Sequence, residues 1–283
     1  MKDINFQIIE YLNYCKDICR MSPKTIDNKR SILDRFCRET NIVSIKDLSD
    51  QIYQKWLKIE LDRQISSSSI DIYNSALLGF IKYFRNAGFI ISLNLNAVPH
   101  FKVVKPERKF YTYKEIEKVL YEADDVNSII IRIMFETGMR INELTFMKIE
   151  NLNGQQISFI GKGNKKRKVY INIQTSQKLH SYLEKYQIGS GYIWCVQNGI
   201  KTLNGEPVSS NTIRDNLRQI FEKAGFEGFY PHALRHSFAT DLQRKGASIE
   251  EIKEMMGHSS IATTERYLHG FDGKLEELFR KYR

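Results

Sequence analysis

Residues 155–173, "QQISFIGKGNKKRKVYINI", decide the class of fold. Apolar and polar residues alternate on both sides of a turn rich in Gly, Asn and Lys, and this period of two belongs to a β-hairpin rather than a helix. The tip of the hairpin carries Lys162, Lys165, Lys166, Arg167 and Lys168. Just before it, "VNSIIIRIMFETGMRINELTFMKIENLN" (126–153) reads as a buried helix, a break at Gly138 and a second helix beginning near Arg140. "TYKEIEKVLYEA" (112–123) opens on a capping-box pair, Thr112 and Glu115, and from Thr212 onward the chain is helical again. The second half is therefore mainly α, a mixed α/β domain with a small antiparallel β insert.

Towards the N-terminus, residues 1–95 read as several helices. In "MSPKTIDNKRSILDRFCRET" (21–40), Ser22 offers an N-cap and Pro23 the first helical position, with Ile26, Leu33 and Phe36 on one face. In "ISSSSIDIYNSALLGFIKYFRNAGF" (65–89), the serine run offers a start, Ile70, Tyr73, Leu77, Phe80, Ile81 and Phe84 line one side, and Gly88 is a stop. Both starts present hydroxyls and backbone N–H groups that suit phosphate contact, with simple capping as the alternative. Around "NLNAVPHFKVVKPER" (94–108) periodicity is lost and the chain turns basic, which marks a linker. The expected organisation is a helical domain at 1–95, a linker at 96–108 and a second domain at 109–283.

Lys and Arg number 43 against 33 Asp and Glu, a net charge of +10, and the pI is about 9.3. The excess is spread along the chain, so the expected partner is a polyanion: nucleic acid first, an anionic membrane surface second. The start "MKDINFQIIEYLNY" lacks a signal-peptide pattern and no apolar stretch approaches roughly 20 residues, so a cytoplasmic location and no membrane span are expected. The four cysteines, Cys15, Cys19, Cys37 and Cys195, read as reduced thiols. Cys15 and Cys19 share a helix face, but no second ligand pair accompanies them and no metal is inferred.

No phosphate-cradling G-x-x-x-x-G-K-[ST] loop, H-E-x-x-H zinc motif, paired C-x-x-C or G-x-S-x-G elbow is present. What remains is a set of polar residues at turns and helix starts: Arg140 in "GMRINEL", His232 and Arg235 three apart in "PHALRHSFAT", Lys162 on the hairpin, and His258 and Tyr267 in "EMMGHSSIATTERYLHG" (254–270). Together they hold the components of phosphodiester cleavage without a metal. Two guanidiniums and a histidine donor can stabilise charge on the non-bridging oxygens. A tyrosine hydroxyl can serve as nucleophile, with His232 as candidate base or the arginines lowering its pKa, and Lys162 can protonate the leaving oxygen. Each residue also has a plainer reading: Arg140 with Glu143 as a surface ion pair, His232 as a helix-start residue, Lys162 as part of a solvated turn, His258 as a loop residue and Tyr267 as packing.

As a set, these residues resemble the tyrosine recombinase (phage integrase) family. "TGMRINEL" is similar to the family's first box, which implies phosphate binding by Arg140 with Glu143 in support. "GKGNKKRKV" is similar to its hairpin-lysine motif and implies that Lys162 is the general acid. "HALRHSFAT" resembles its H-x-x-R box, giving His232 and Arg235, and "GHSSIATTERYLH" resembles the histidine and nucleophile segment, giving His258 and Tyr267. The matching motifs span about residues 137–269, and the compact layout looks most like Xer-type recombinases. One departure is the linker region "KPERKFYTYKEI", which lacks the proline often found just before the domain's first helix.

The resemblance implies that residues 1–95 are a core-binding domain and 109–283 a catalytic domain, cutting and rejoining duplex DNA at a specific site through a 3′-phosphotyrosyl link, with no cofactor. It also implies a tetramer on two DNA sites that resolves chromosome or plasmid multimers, with a second recombinase or an activator as a further partner. In "FDGKLEELFRKYR" (271–283), Leu275, Leu278, Phe279 and Tyr282 fall on one helical face, to pack at home or on a neighbouring subunit. Lys24, Lys29 and Arg30, with Lys165, Lys166, Arg167 and Lys168, are the expected phosphate contacts on a clamp around DNA. The alternatives are a mobile-element integrase of the same family, a recombinase-like DNA-binding protein that no longer cuts, and a type IB topoisomerase acting as a monomer.

Overall fold

The computed structural model describes residues 3–94, 98, 109–160, 166–197, 199–202 and 205–257, with only the backbone at Ile160, Lys166, Gln197, Ile200 and Lys201. The chain is mainly helical with a small antiparallel sheet, and it divides into two compact units, Met1–Pro106 and Glu107–Arg283. No helix among the described residues is long and apolar enough to cross a membrane.

The first unit contains α1 (Ile4–Asp17), α2 (Pro23–Thr40), α3 (Asp50–Asp62) and α4 (Ser67–Asn86). Helices α2, α3 and α4 each begin behind a serine whose Oγ accepts the N–H three residues on, Ser22 from Thr25, Ser49 from Ile52 and Ser66 from Ser69. Each cap satisfies a donor that the helix itself leaves free. Their apolar faces enclose Leu12, Leu33, Phe36, Trp56, Phe80, Ile81 and Phe84 in one core, with Phe36 edge-on to Trp56 at 5.1 Å. Beside that core Glu60 is fully buried, and Arg35 Nη2 donates to both of its oxygens at 2.7 and 2.9 Å while Arg63 Nη1 donates to Oε1 at 3.0 Å.

The second unit begins with α5 (Tyr113–Glu122), α6 (Asp125–Thr137) and α7 (Ile141–Thr145). Then come β1 (Leu152–Asn153), β2 (Gln156–Ile160), β3 (Lys166–Tyr170) and α8 (Ile173–Lys185). The chain continues through β4 (Val196–Gln197) and β5 (Ile200–Lys201) to α9 (Ser210–Lys223), α10 (Pro231–Arg244) and α11 (Ile249–Met256). Helix α6 buries Ile129, Ile130, Ile131, Ile133, Met134 and Phe135, which explains its unbroken apolar run: it lies between α10 and α8 and has hardly any solvent face. In the sheet, ordered β1-β2-β3, Ile157 pairs with Val169 and Phe159 with Arg167, and Ile157 and Val169 enter the core.

Two features differ from the sequence reading. Strand character does not run to Ile173: β3 ends at Tyr170, and the Glu136 carboxylate accepts Asn172 N–H at 2.8 Å and Thr175 Oγ1–H at 2.7 Å, so a side chain from α6 caps α8. Helix α8 and the β4–β5 pair thus lie in a stretch where no elements are expected. Lys166, Arg167 and Lys168 belong to β3 rather than to the tip, because the β2–β3 register closes at Ile160 and Lys166.

Candidate active site

Gly138 ends α6 in the left-handed region, φ +61°, and a Cβ there would lie 2.5 Å from Phe238 Cδ1 on α10. Both facts require glycine. Two residues on, Arg140 is the N-cap of α7. Its N–H donates to Glu143 Oε2 at 2.8 Å and its Nη1 to Glu143 Oε1 at 2.7 Å. One carboxylate therefore fixes both the start of the helix and the guanidinium, whose side chain stays 29% exposed.

Helix α10 starts with Pro231 at its first position, suited to a φ that proline already holds. His232 follows, exposed, and Arg235 lies on the same face, only 1% exposed. Arg235 Nη1 donates to the carbonyl of Gly138 and Nη2 to the carbonyl of Met256, the last residue of α11. A buried guanidinium thus joins the end of α6, the start of α10 and the end of α11. Gly257 then terminates α11 at φ +63°.

A third guanidinium enters from β3. Arg167 is 9% exposed, lies over the Phe159 ring at 5.4 Å, donates through Nη2 to the Met255 carbonyl, and places Nη1 3.6 Å from Glu143 Oε2. Its Nε and Nη1 are buried with no hydrogen-bond partner among the described residues. Burial, and then the Arg235 and Arg140 cations against the opposing pull of Glu143, bring its pKa down to about 10. Arg140 and Arg167 share the one Glu143 carboxylate and Arg235 acts on Arg167 from nearby, so positive charge is in excess around this network.

Of the residues expected at the site, Arg140, Glu143 and Arg235 are brought into one network, with His232 on the helix face of Arg235. Lys162, His258, Tyr267 and Lys165 lie outside the described residues, as do Leu275, Leu278, Phe279 and Tyr282, and nothing is described of the Lys166 side chain. Lys24 and Arg30 are exposed on α2, whereas Lys29 is half-buried and donates to the Tyr11 hydroxyl at 3.2 Å. Lys168 is exposed on the face of β3 opposite Arg167. Arg167 is a correction: it is a buried member of this network, not a cation on a solvated tip. The signal for it is strand phase, since it lies two residues before buried Val169.

Residues 109–274 match the model of the phage integrase family. The tyrosine recombinase XerC of Lactobacillus delbrueckii subsp. bulgaricus is 30% identical over 285 residues, covering 92% of each chain. Among solved structures, the XerH site-specific recombinase bound to a palindromic difH substrate in a post-cleavage complex matches with a TM-score of 0.72 at 24% identity, covering 96% of this chain and 83% of that one. A lambda integrase dimer bound to a COC′ core site matches with a TM-score of 0.73 at 18% identity, covering 94% and 95%.

Proposed function

The chain belongs to the phage integrase family and is a site-specific tyrosine recombinase, and on that premise we propose that Arg140, Lys162, His232, Arg235, His258 and Tyr267 form one strand-cleavage site, supported by Glu143. Arg140, Arg235 and His258 bind the non-bridging oxygens and hold the charge that grows on them in the transition state. Tyr267 Oη bonds to the scissile phosphorus as His232 takes its proton. The bond to the 5′ oxygen breaks, and Lys162 supplies the proton that makes it a free hydroxyl. The product is a 3′-phosphotyrosyl ester, in which the energy of the broken bond is retained. The 5′-hydroxyl of a second duplex then attacks this phosphorus, displacing Tyr267, which recovers its proton.

The observation that carries this reading is the hydrogen bond from Arg235 to the carbonyl of Gly138, 97 residues away in sequence. It draws the H-x-x-R helix against the turn that leads into Arg140. The surrounding assignment keeps to the sequence reading: residues 1–95 bind the core site, 109–283 catalyse, and a cytoplasmic tetramer recombines two duplexes. In this reading it resolves chromosome or plasmid multimers, with a second recombinase or an activator as partner. Lys24, Lys29, Arg30, Lys165, Lys166 and Lys168 serve as phosphate contacts, and Leu275, Leu278, Phe279 and Tyr282 as an intersubunit face.

The test incubates the protein with nicked suicide duplexes from its own genomic neighbourhood. A denaturation-resistant protein–DNA adduct is expected, and Tyr267→Phe abolishes it while leaving duplex binding near wild type. An adduct that persists in the Phe variant places the nucleophile elsewhere.

A further inference from the structure

Arg167 is an awkward residue for its place. It is a buried cation with two nitrogens that make no hydrogen bond among the described residues, one of them only ion-paired with Glu143, and it faces two other arginines. A site that needed only filling would be better served by an apolar side chain of similar length, because an incompletely paired buried charge costs stability. What the guanidinium supplies is a set of connections. The last carbonyls of α11 have no partner within the helix and lie at its negative end, and two of them, on Met255 and Met256, are taken by Arg167 and Arg235 respectively. A Cβ on Gly257 would lie 2.9 Å from Arg167 Cδ, so the glycine that ends α11 lies directly against the arginine's stem. On its other side Arg167 faces the same Glu143 carboxylate that holds Arg140.

We propose that Arg167 is a positioning residue for strand cleavage: it fastens the last turn of α11, and through Gly257 the segment beginning at His258, to the Arg140–Glu143 pair. The proposal rests on the assignment of Arg140, His258 and Tyr267 to one site. Arg167 touches neither DNA nor the reacting atoms in this role. It keeps the segment that carries the nucleophile in register with the phosphate-binding arginine.

Arg167→Met and Arg167→Lys separate this role from packing and from bare charge, since methionine fills the space without charge and lysine keeps the charge but not the fork. Four quantities are measured: melting temperature, single-site duplex affinity, the single-turnover rate of adduct formation at saturating protein, and that same rate on a duplex with sulfur in place of the 5′ bridging oxygen, a leaving group that needs no proton. Both variants are expected to melt no lower than wild type, bind within about 3-fold and form the adduct about 100-fold more slowly on either leaving group, the scale of a small misplacement at a reacting centre. A wild-type rate in Arg167→Met, or full rescue by Arg167→Lys, overturns the proposal. So does a defect confined to the oxygen substrate, which would place Arg167 in the service of Lys162, and so does loss of both melting and binding in the two variants, which is a packing role. Tyr267→Phe runs alongside: an adduct in that variant sinks the assignment of the site itself, a result separable from any behaviour of Arg167.

Discussion

Gly138 bears two demands at once, because its backbone occupies a region closed to most side chains while its carbonyl receives the Arg235 guanidinium. In Gly138→Ala the left-handed conformation costs about 1 kcal/mol and displacing the Phe238 ring about 1–3 kcal/mol more. The expected outcome is a melting temperature several degrees lower, with adduct formation reduced further than stability alone explains because the Arg235 acceptor moves. Unchanged melting would mean that the ring yields without cost. Arg140, Glu143 and His232 could be singled out because each stands at a turn or a helix start, and Arg235 because it follows His232 by three residues on the same face. Arg167 could not, because five basic residues in a short stretch look alike until the strand's phase is known.

Elements with local punctuation could be read in advance. The serine caps of α2 and α4, the reciprocal Thr112–Glu115 pair before α5 and the glycine after α11 each lie within three or four residues of the helix they bound. Helix α8 lacks such a mark, since Asn172 makes no cap of its own and borrows one from α6. Strands β4 and β5, two residues each, are too short to show alternation. In the first unit, α2 and α3 are joined through Glu60, and removing that carboxylate leaves Arg35 and Arg63 with Glu39 Oε1 as their shared anion. The arginines are 29% and 45% exposed, so water offsets part of the loss. Glu60→Ala is expected to cost about 2 kcal/mol, below the 3–5 of a wholly buried pair. Chemical denaturation followed through Trp56 checks this, and a cost under about 0.5 kcal/mol would show that Glu39 and solvent together replace the carboxylate.

For the whole molecule, a net charge of +10 provides attraction to any polyanion without choosing a sequence, so affinity for the duplex falls steeply with salt. In the proposed reading catalysis depends on something narrower, the hold of Arg167 and Arg235 on the end of α11 and of Glu143 on Arg167. Assembly, in the proposed reading, depends on the C-terminal segment. Deleting residues 272–283 is expected to abolish pairing of two sites while single-site affinity changes little, as read by native gel shift with one-site and two-site DNA; equal loss of both would count against intersubunit exchange. Helix α10, finally, is buried at every position from Ala233 to Thr240. Anyone redirecting this enzyme to a new target would do well to leave that stretch out of a mutant library: it has no freedom to spare for learning another address, and useful variation has to come from outside it.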